Sequence, residues 1–135
     1  MTIVDSNILL DILSHDPVWE NWSRSALASQ AEKGTLLYVD VIFAEVAVGF
    51  PDADTCARFM RDSRLQRATM SDEALWLAGQ AFVLYRRQGG TRTSVLPDFF
   101  IGAQAQAMGL PILTRDAKRY ERYFPEVELI RPRAA

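Results

Sequence analysis

The sequence contains one cysteine, Cys56, and one histidine, His15. A single thiol excludes an internal disulfide, and the lack of a Cys/His cluster excludes the usual ligand sets of zinc sites. Cys56 stands in a helical-looking stretch with no histidine beside it, which predicts a buried thiol acting as a small hydrophobe. No apolar run approaches the roughly 20 residues of a spanning helix, and no basic segment leads into a long apolar one at the N-terminus. A cytoplasmic protein with no membrane association is therefore expected. Neither G-x-G-x-x-G nor G-x-x-x-x-G-K-[ST] occurs, so the dinucleotide and nucleoside triphosphate fingerprints are missing. Linkers, repeats and low-complexity segments are also absent.

Lysine is scarce: Lys33 and Lys118 stand against 13 arginines. A formal net charge of −2 provides no global attraction to nucleic acid, yet the planar guanidinium suits phosphate and carboxylate partners. Arg86, Arg87 and Arg92 precede one acidic motif, and Arg115, Arg119 and Arg122 surround another. Solvated helix faces would explain the same charges. With 135 residues, 49% of them hydrophobic and 24% charged, the composition is that of one domain, 1–135, able to bury its own core.

Short apolar runs alternate with helical periodicity along the chain. Thr2-Ile3-Val4 ends in Asp5, which either caps a helix over 7–13 or faces the crevice beyond a strand end. His15-Asp16-Pro17 interrupts that helix, and His15 reads as a solvated loop residue. A second helix follows to Lys33, with Gly34 as its stop. Leu36 to Val39 suits a buried strand, and Asp40 is placed to cap the helix that carries Glu45. Glu45 sits in Val41-Ile42-Phe43-Ala44-Glu45-Val46-Ala47-Val48, so it must point outward, reach water or meet a cation.

Pro51-Asp52 starts a further helix towards Asp62, and Leu65 to Thr69 supplies a third strand. Ser71 caps the longest helix, which runs to about Gln88 and is apolar over more than one face. That breadth predicts either a central buried helix or a surface for a second copy or another protein. After the polar loop 89–94, Pro97 and Asp98 open a helix ending at Gly109, with Asp98 in the turn where the dipole favours a carboxylate. Pro111 to Leu113 forms a strand followed by Thr114-Arg115-Asp116. A last helix runs to Tyr123, and Val127 to Ile130 adds an edge strand. This alternation predicts a three-layer α/β/α sandwich around a mostly parallel sheet of four to five strands.

Asp5, Glu45, Asp98 and Asp116 can be gathered at one sheet edge by parallel topology. Four carboxylates converging there would repel unless protons or a cation neutralised them. An all-oxygen set favours Mg²⁺ or Mn²⁺. Such an ion holds phosphate and activates water for in-line attack.

Val4-Asp5-Ser6-Asn7, Ala44-Glu45-Val46, Pro97-Asp98-Phe99-Phe100-Ile101-Gly102-Ala103 and Leu113-Thr114-Arg115-Asp116 occur in this order across essentially the whole chain. In this combination the chain resembles the PIN-domain ribonucleases, and most closely the VapC-type toxins of toxin–antitoxin pairs. The resemblance implies that Asp5, Glu45, Asp98 and Asp116 form an acidic metal-binding tetrad, supported by Ser6, Asn7 and Thr114. The first Asp and the later two would hold Mg²⁺ or Mn²⁺ directly or through water, and Glu45 would ligate a second ion or orient the attacking water. It further implies hydrolysis of RNA phosphodiesters, a homodimer, and inhibition by a cognate VapB-type antitoxin. Arg86, Arg87, Arg92 and Arg115 are the candidate contacts to RNA phosphate.

Two other readings remain beside this one. A PIN-like module could bind nucleic acid or protein without cleaving anything. A metal-dependent phosphatase on a related sheet fits less well, because Asp5-Ser6-Asn7 lacks the second acid of a D-x-D motif.

Overall fold

The computed structural model describes residues 1–133. Five strands form one sheet: β1 (Thr2–Val4), β2 (Leu36–Tyr38), β3 (Leu65–Arg67), β4 (Ile112–Leu113) and β5 (Leu129–Ile130). Their order is β3-β2-β1-β4-β5 and every pairing is parallel. The strands are short, and β1, β2 and β4 are buried along their whole length. That explains why they read as continuous apolar runs rather than alternating patterns.

Among the described residues seven helices connect the strands: α1 (Ser6–Leu13), α2 (Glu20–Lys33), α3 (Asp40–Ala47), α4 (Ala53–Asp62), α5 (Asp72–Arg87), α6 (Pro97–Met108) and α7 (Lys118–Tyr123). The first two crossovers step from β1 through β2 to β3. The third returns past β2 and β1 to β4, so the direction of winding reverses between β1 and β4. Right-handed crossovers in opposite directions place helices on opposite faces, which makes the three-layer α/β/α sandwich. The reversal also opens a crevice at the carboxyl ends of β1 and β4. Ile3 pairs with Ile112 and Val4 with Leu113, so Asp5 and Thr114 emerge side by side.

Local chemistry sets most element boundaries. Asp5 caps α1, Asp52 caps α4 through the Thr55 N–H, and Ser71 caps α5 through the Ala74 N–H. Pro97 opens α6, and Gly109 closes it in the left-handed conformation at φ 67°. Asp40 departs from expectation: Val39 is the cap, Asp40 is the first residue of α3, and its carboxylate pairs with Arg67 instead. Cys56 is buried, and His15 is an exposed loop residue beside Glu20.

The broad apolar character of α5 is divided. Ala74, Ala78 and Ala81 are buried, whereas Leu75, Trp76, Val83 and Leu84 are exposed, Trp76 to 62%. The helix is not a central buried one, and its outer face carries apolar side chains into solvent.

Candidate functional site

Asp5 leaves the sheet at the end of β1 and is only 4% exposed. Its Oδ1 accepts from the Ser6 N–H at 2.7 Å, which is the α1 cap. Oδ2 accepts from the Tyr120 hydroxyl at 2.8 Å, the Thr114 hydroxyl at 2.9 Å and Asn7 Nδ2 at 3.4 Å. Burial pushes the Asp5 pKa up, the donors from Tyr120, Thr114 and Ser6 oppose that, and the charge of Glu45 adds to it; the net direction is upward. The carboxylate that caps α1 thus also joins the ends of β1 and β4 through Thr114.

Asn7 and Thr114 tie the ends of β1 and β4 together. Asn7 Oδ1 accepts from the Arg115 N–H at 3.3 Å, which orients Nδ2 as the donor to Thr114 Oγ1 at 3.1 Å. Thr114 has a single hydroxyl proton. Its donation to Asp5 leaves Oγ1 to accept from Asn7 and from the Asp116 N–H at 3.1 Å. The backbone that positions Asp116 is therefore linked to Asp5 through one hydroxyl.

Glu45 lies half-buried on α3, and its Oε1 accepts from Ser6 Oγ at 3.1 Å. Burial pushes its pKa up, Ser6 opposes this, and the charge of Asp98 reinforces it. Asp98, half-buried in the first turn of α6, has a pKa raised to about 6. Burial is the largest cause, followed by the charge of Asp5; Arg119 opposes the rise and Asp116 adds to it. Asp116 is exposed beyond β4. The structure thus brings the four acids into one electrostatic neighbourhood. They are not drawn tightly enough for three to enclose an ion as they stand: no such group of His, Cys, Asp or Glu occurs among the described residues. The donor set itself, all carboxylate oxygen and with the pKa values of Asp5, Glu45 and Asp98 raised, suits a hard divalent cation.

The four arginines expected to meet phosphate occupy different positions. Arg86 donates to the carbonyls of Gly90 and Arg92 and so holds the loop after α5. Arg115 is gripped by Asp11, with Nε on Oδ2 at 2.8 Å and Nη2 on Oδ1 at 3.0 Å. Ser23 Oγ donates to the same Asp11 at 2.7 Å, and the Arg115 guanidinium lies 5.6 Å from the Trp19 ring centroid. Arg87 and Arg92 are exposed.

Tyr120 and Asp11 were not singled out from the sequence. Asp11 had a signal, because an acid inside Ile8-Leu9-Leu10-Asp11-Ile12-Leu13 raises the same problem as Glu45. Tyr120 had only the general rule that a buried phenol needs a partner.

No family model and no curated protein matches the sequence. Solved structures do match. A chain of VapBC2 from Rickettsia felis, bound to a DNA fragment from its promoter, superposes with a TM-score of 0.73 at 18% identity, over 98% of both chains. VapBC-1 from nontypeable Haemophilus influenzae gives 0.71 at 14%, over 96% of both chains. A toxin–antitoxin complex from Klebsiella pneumoniae gives 0.60 at 24%, over 94% of this chain and 95% of that one. The fold is PIN-like, the one this chain shares with the matched chains of these VapBC complexes. In this PIN-like fold the acids lie where the winding reverses, beside the carboxyl ends of β1 and β4.

Proposed function

We propose that this chain is a metal-dependent endoribonuclease toxin that hydrolyses RNA phosphodiester bonds and is restrained by a cognate antitoxin. The observation that carries the reading is the gathering of Asp5, Glu45, Asp98 and Asp116 at the β1/β4 crevice, with Asp98 pushed up to about 6 by burial and neighbouring carboxylates. A site that raises the pKa of its own acids has an unmet demand for positive charge.

Asp5, Asp98 and Asp116 would hold Mg²⁺ or Mn²⁺. When bound, the ion supplies charge neutralisation at the phosphate and a more acidic water. Asp5 has its orientation set by its donors, because Oδ2 is occupied three times and Oδ1 once. Glu45 has Oε1 held by Ser6, which leaves Oε2 to accept a proton from attacking water. Its raised pKa brings it closer to the pH at which a general base works well.

The VapC-type complexes that share this fold support an antitoxin partner, and the exposed Leu75, Trp76, Val83 and Leu84 on α5 support a homodimer. One observation favours a PIN-like binding module instead, namely that among the described residues no three acids enclose an ion as they stand.

Mapping RNA ends after brief expression of the wild type and of Asp98→Asn separates the two readings. The nuclease reading expects defined new ends with the wild type and none with the variant. It also expects purified protein to cleave RNA with Mg²⁺ or Mn²⁺ and to stop on chelation. RNA bound but left intact in the presence of metal would establish the binding module.

A further inference from the structure

Beside the acids lies a cavity of about 360 Å³ between α5, α6 and α7. Asp98 and Asp116 form one wall, and Lys118, Arg119 and Arg122 of α7 form another over Tyr85 and Tyr123. These cations differ from Arg86 and Arg115 in how little of their donor capacity is used. Arg115 is committed to Asp11 and Arg86 to loop carbonyls. Arg119 has only a 3.9 Å approach to Asp98, too long for a hydrogen bond. Arg122 spends Nε on Gln88 at 2.9 Å, leaving its terminal nitrogens, and Lys118 makes no hydrogen bond among the described residues.

The guanidiniums are nevertheless held in place. Arg119 Cζ lies 6.0 Å from the ring centroids of both Tyr85 and Phe99, and Arg122 Cζ lies 5.5 Å from that of Tyr123. Those rings are themselves fixed, since Tyr85, Phe99 and Tyr123 pack edge-to-face on one another. Arginines ordered in advance by aromatic rings, with terminal N–H groups still free, lose little freedom on gripping an oxyanion. Three cations around one small cavity fit a phosphate with its sugar and base better than an extended face.

Resting on the nuclease reading, we propose that this cavity binds the phosphate of the nucleotide adjoining the scissile bond in an unpaired RNA strand. The shared wall explains the placement: Asp98 and Asp116 border the cavity and also belong to the acid cluster, so a strand lying across both presents consecutive phosphates to them. The strand then follows α7, away from Arg86 and Arg115.

The test measures binding of short, unstructured, fluorescein-labelled RNAs in EDTA over a range of KCl, with far-UV circular dichroism to verify folding. Wild type is compared with the Arg119→Gln/Arg122→Gln and Arg87→Gln/Arg92→Gln double variants. The α7 variant should bind about tenfold more weakly, and its log–log salt slope should fall by about 1.4, alike for RNAs of different sequence. In metal-supported cleavage its KM should rise more than its kcat falls. Unchanged affinity and slope in the α7 variant, with wild-type cleavage intact, would overturn the subsite and leave the nuclease reading standing. Binding lost only in the Arg87/Arg92 variant would do the same. A wild type that neither binds nor cleaves RNA, or that binds an acidic peptide in its place, would overturn both.

Discussion

The hydroxyl of Tyr120, a residue 1% exposed, donates to Asp5 Oδ2 at 2.8 Å across 115 residues of sequence. Burial, then the charges of Asp5 and Asp98, push the Tyr120 pKa well above its ordinary value, so the phenol stays protonated and remains a donor. Tyr120 is a positioning residue for the carboxylate. Tyr120→Phe should cost about 1.5–3 kcal/mol in urea unfolding, the range for a hydrogen bond to a charged group. Removing a donor that lowers the Asp5 pKa also moves the acidic limb of metal binding to higher pH. Mn²⁺ titration at several pH values reads that shift, which a purely structural role would not produce.

Asp98 predicts two pH dependences of opposite sign. Its pKa rises from 3.8 in the unfolded chain to about 6 in the metal-free fold, so between these values the folded state holds more protons. The metal-free protein should lose stability as pH rises through that window. Metal affinity should rise over the same range, because the ion must displace a proton from Asp98 below about 6 and none above it. Thermal melts with and without Mn²⁺ should therefore converge at low pH and separate above about 6. Asp98→Asn should remove the Mn²⁺-induced separation.

Asp11 is the acid on which the loop after β4 depends. Asp11→Ala leaves the Arg115 guanidinium and the Ser23 hydroxyl without their shared partner. A loss of about 2–3 kcal/mol is expected, below the full penalty for a buried pair because Arg115 still reaches water. A double-mutant cycle with Arg115→Met should show coupling, with the double variant more stable than the sum of the single changes predicts. Cleavage should fall in the Asp11→Ala variant, since Asp116 is the next residue after the released arginine.

Gly102 is where α6 meets the end of α7. A Cβ placed there would fall 2.2 Å from the buried Phe124 ring. Gly102→Ala should cost about 1–3 kcal/mol of stability through overpacking, measured by urea unfolding. The same push on α7 should shift Tyr120 and weaken metal binding beyond what the stability change alone would cause.

Much of the architecture was legible because each buried strand ends in a residue with a distinct local role. Asp5, Ser71, Pro97 and Gly109 mark boundaries through capping or restricted backbone geometry, and those signals need no tertiary context. Asp40 was misplaced by one residue because its competing partner, Arg67, is 27 residues away. Asp5, Asp98 and Asp116 could be picked out from strand ends and helix starts, and Glu45 from its apolar neighbours on a helix, but their orientation could not. Asp5 is aimed by Thr114 and Tyr120, over 100 residues distant, and a tyrosine in the charged stretch Lys118-Arg119-Tyr120-Glu121-Arg122 gives no sign that it faces inward. The outer face of α5 was legible as apolar, but whether it was covered depended on packing that periodicity does not encode.

Because β1 lies between β2 and β4, the first strand cannot complete its pairing until one of the last has been made. The Asp5 N–H awaits the Leu113 carbonyl, and its carboxylate awaits Thr114 and Tyr120. A nascent chain emerging from the ribosome therefore has no assembled acid cluster until β4 and α7 have emerged. If the protein cuts RNA, this order of assembly delays the hazard until β4 and α7 have been made, and a restraining partner need only intercept chains that have folded past that point.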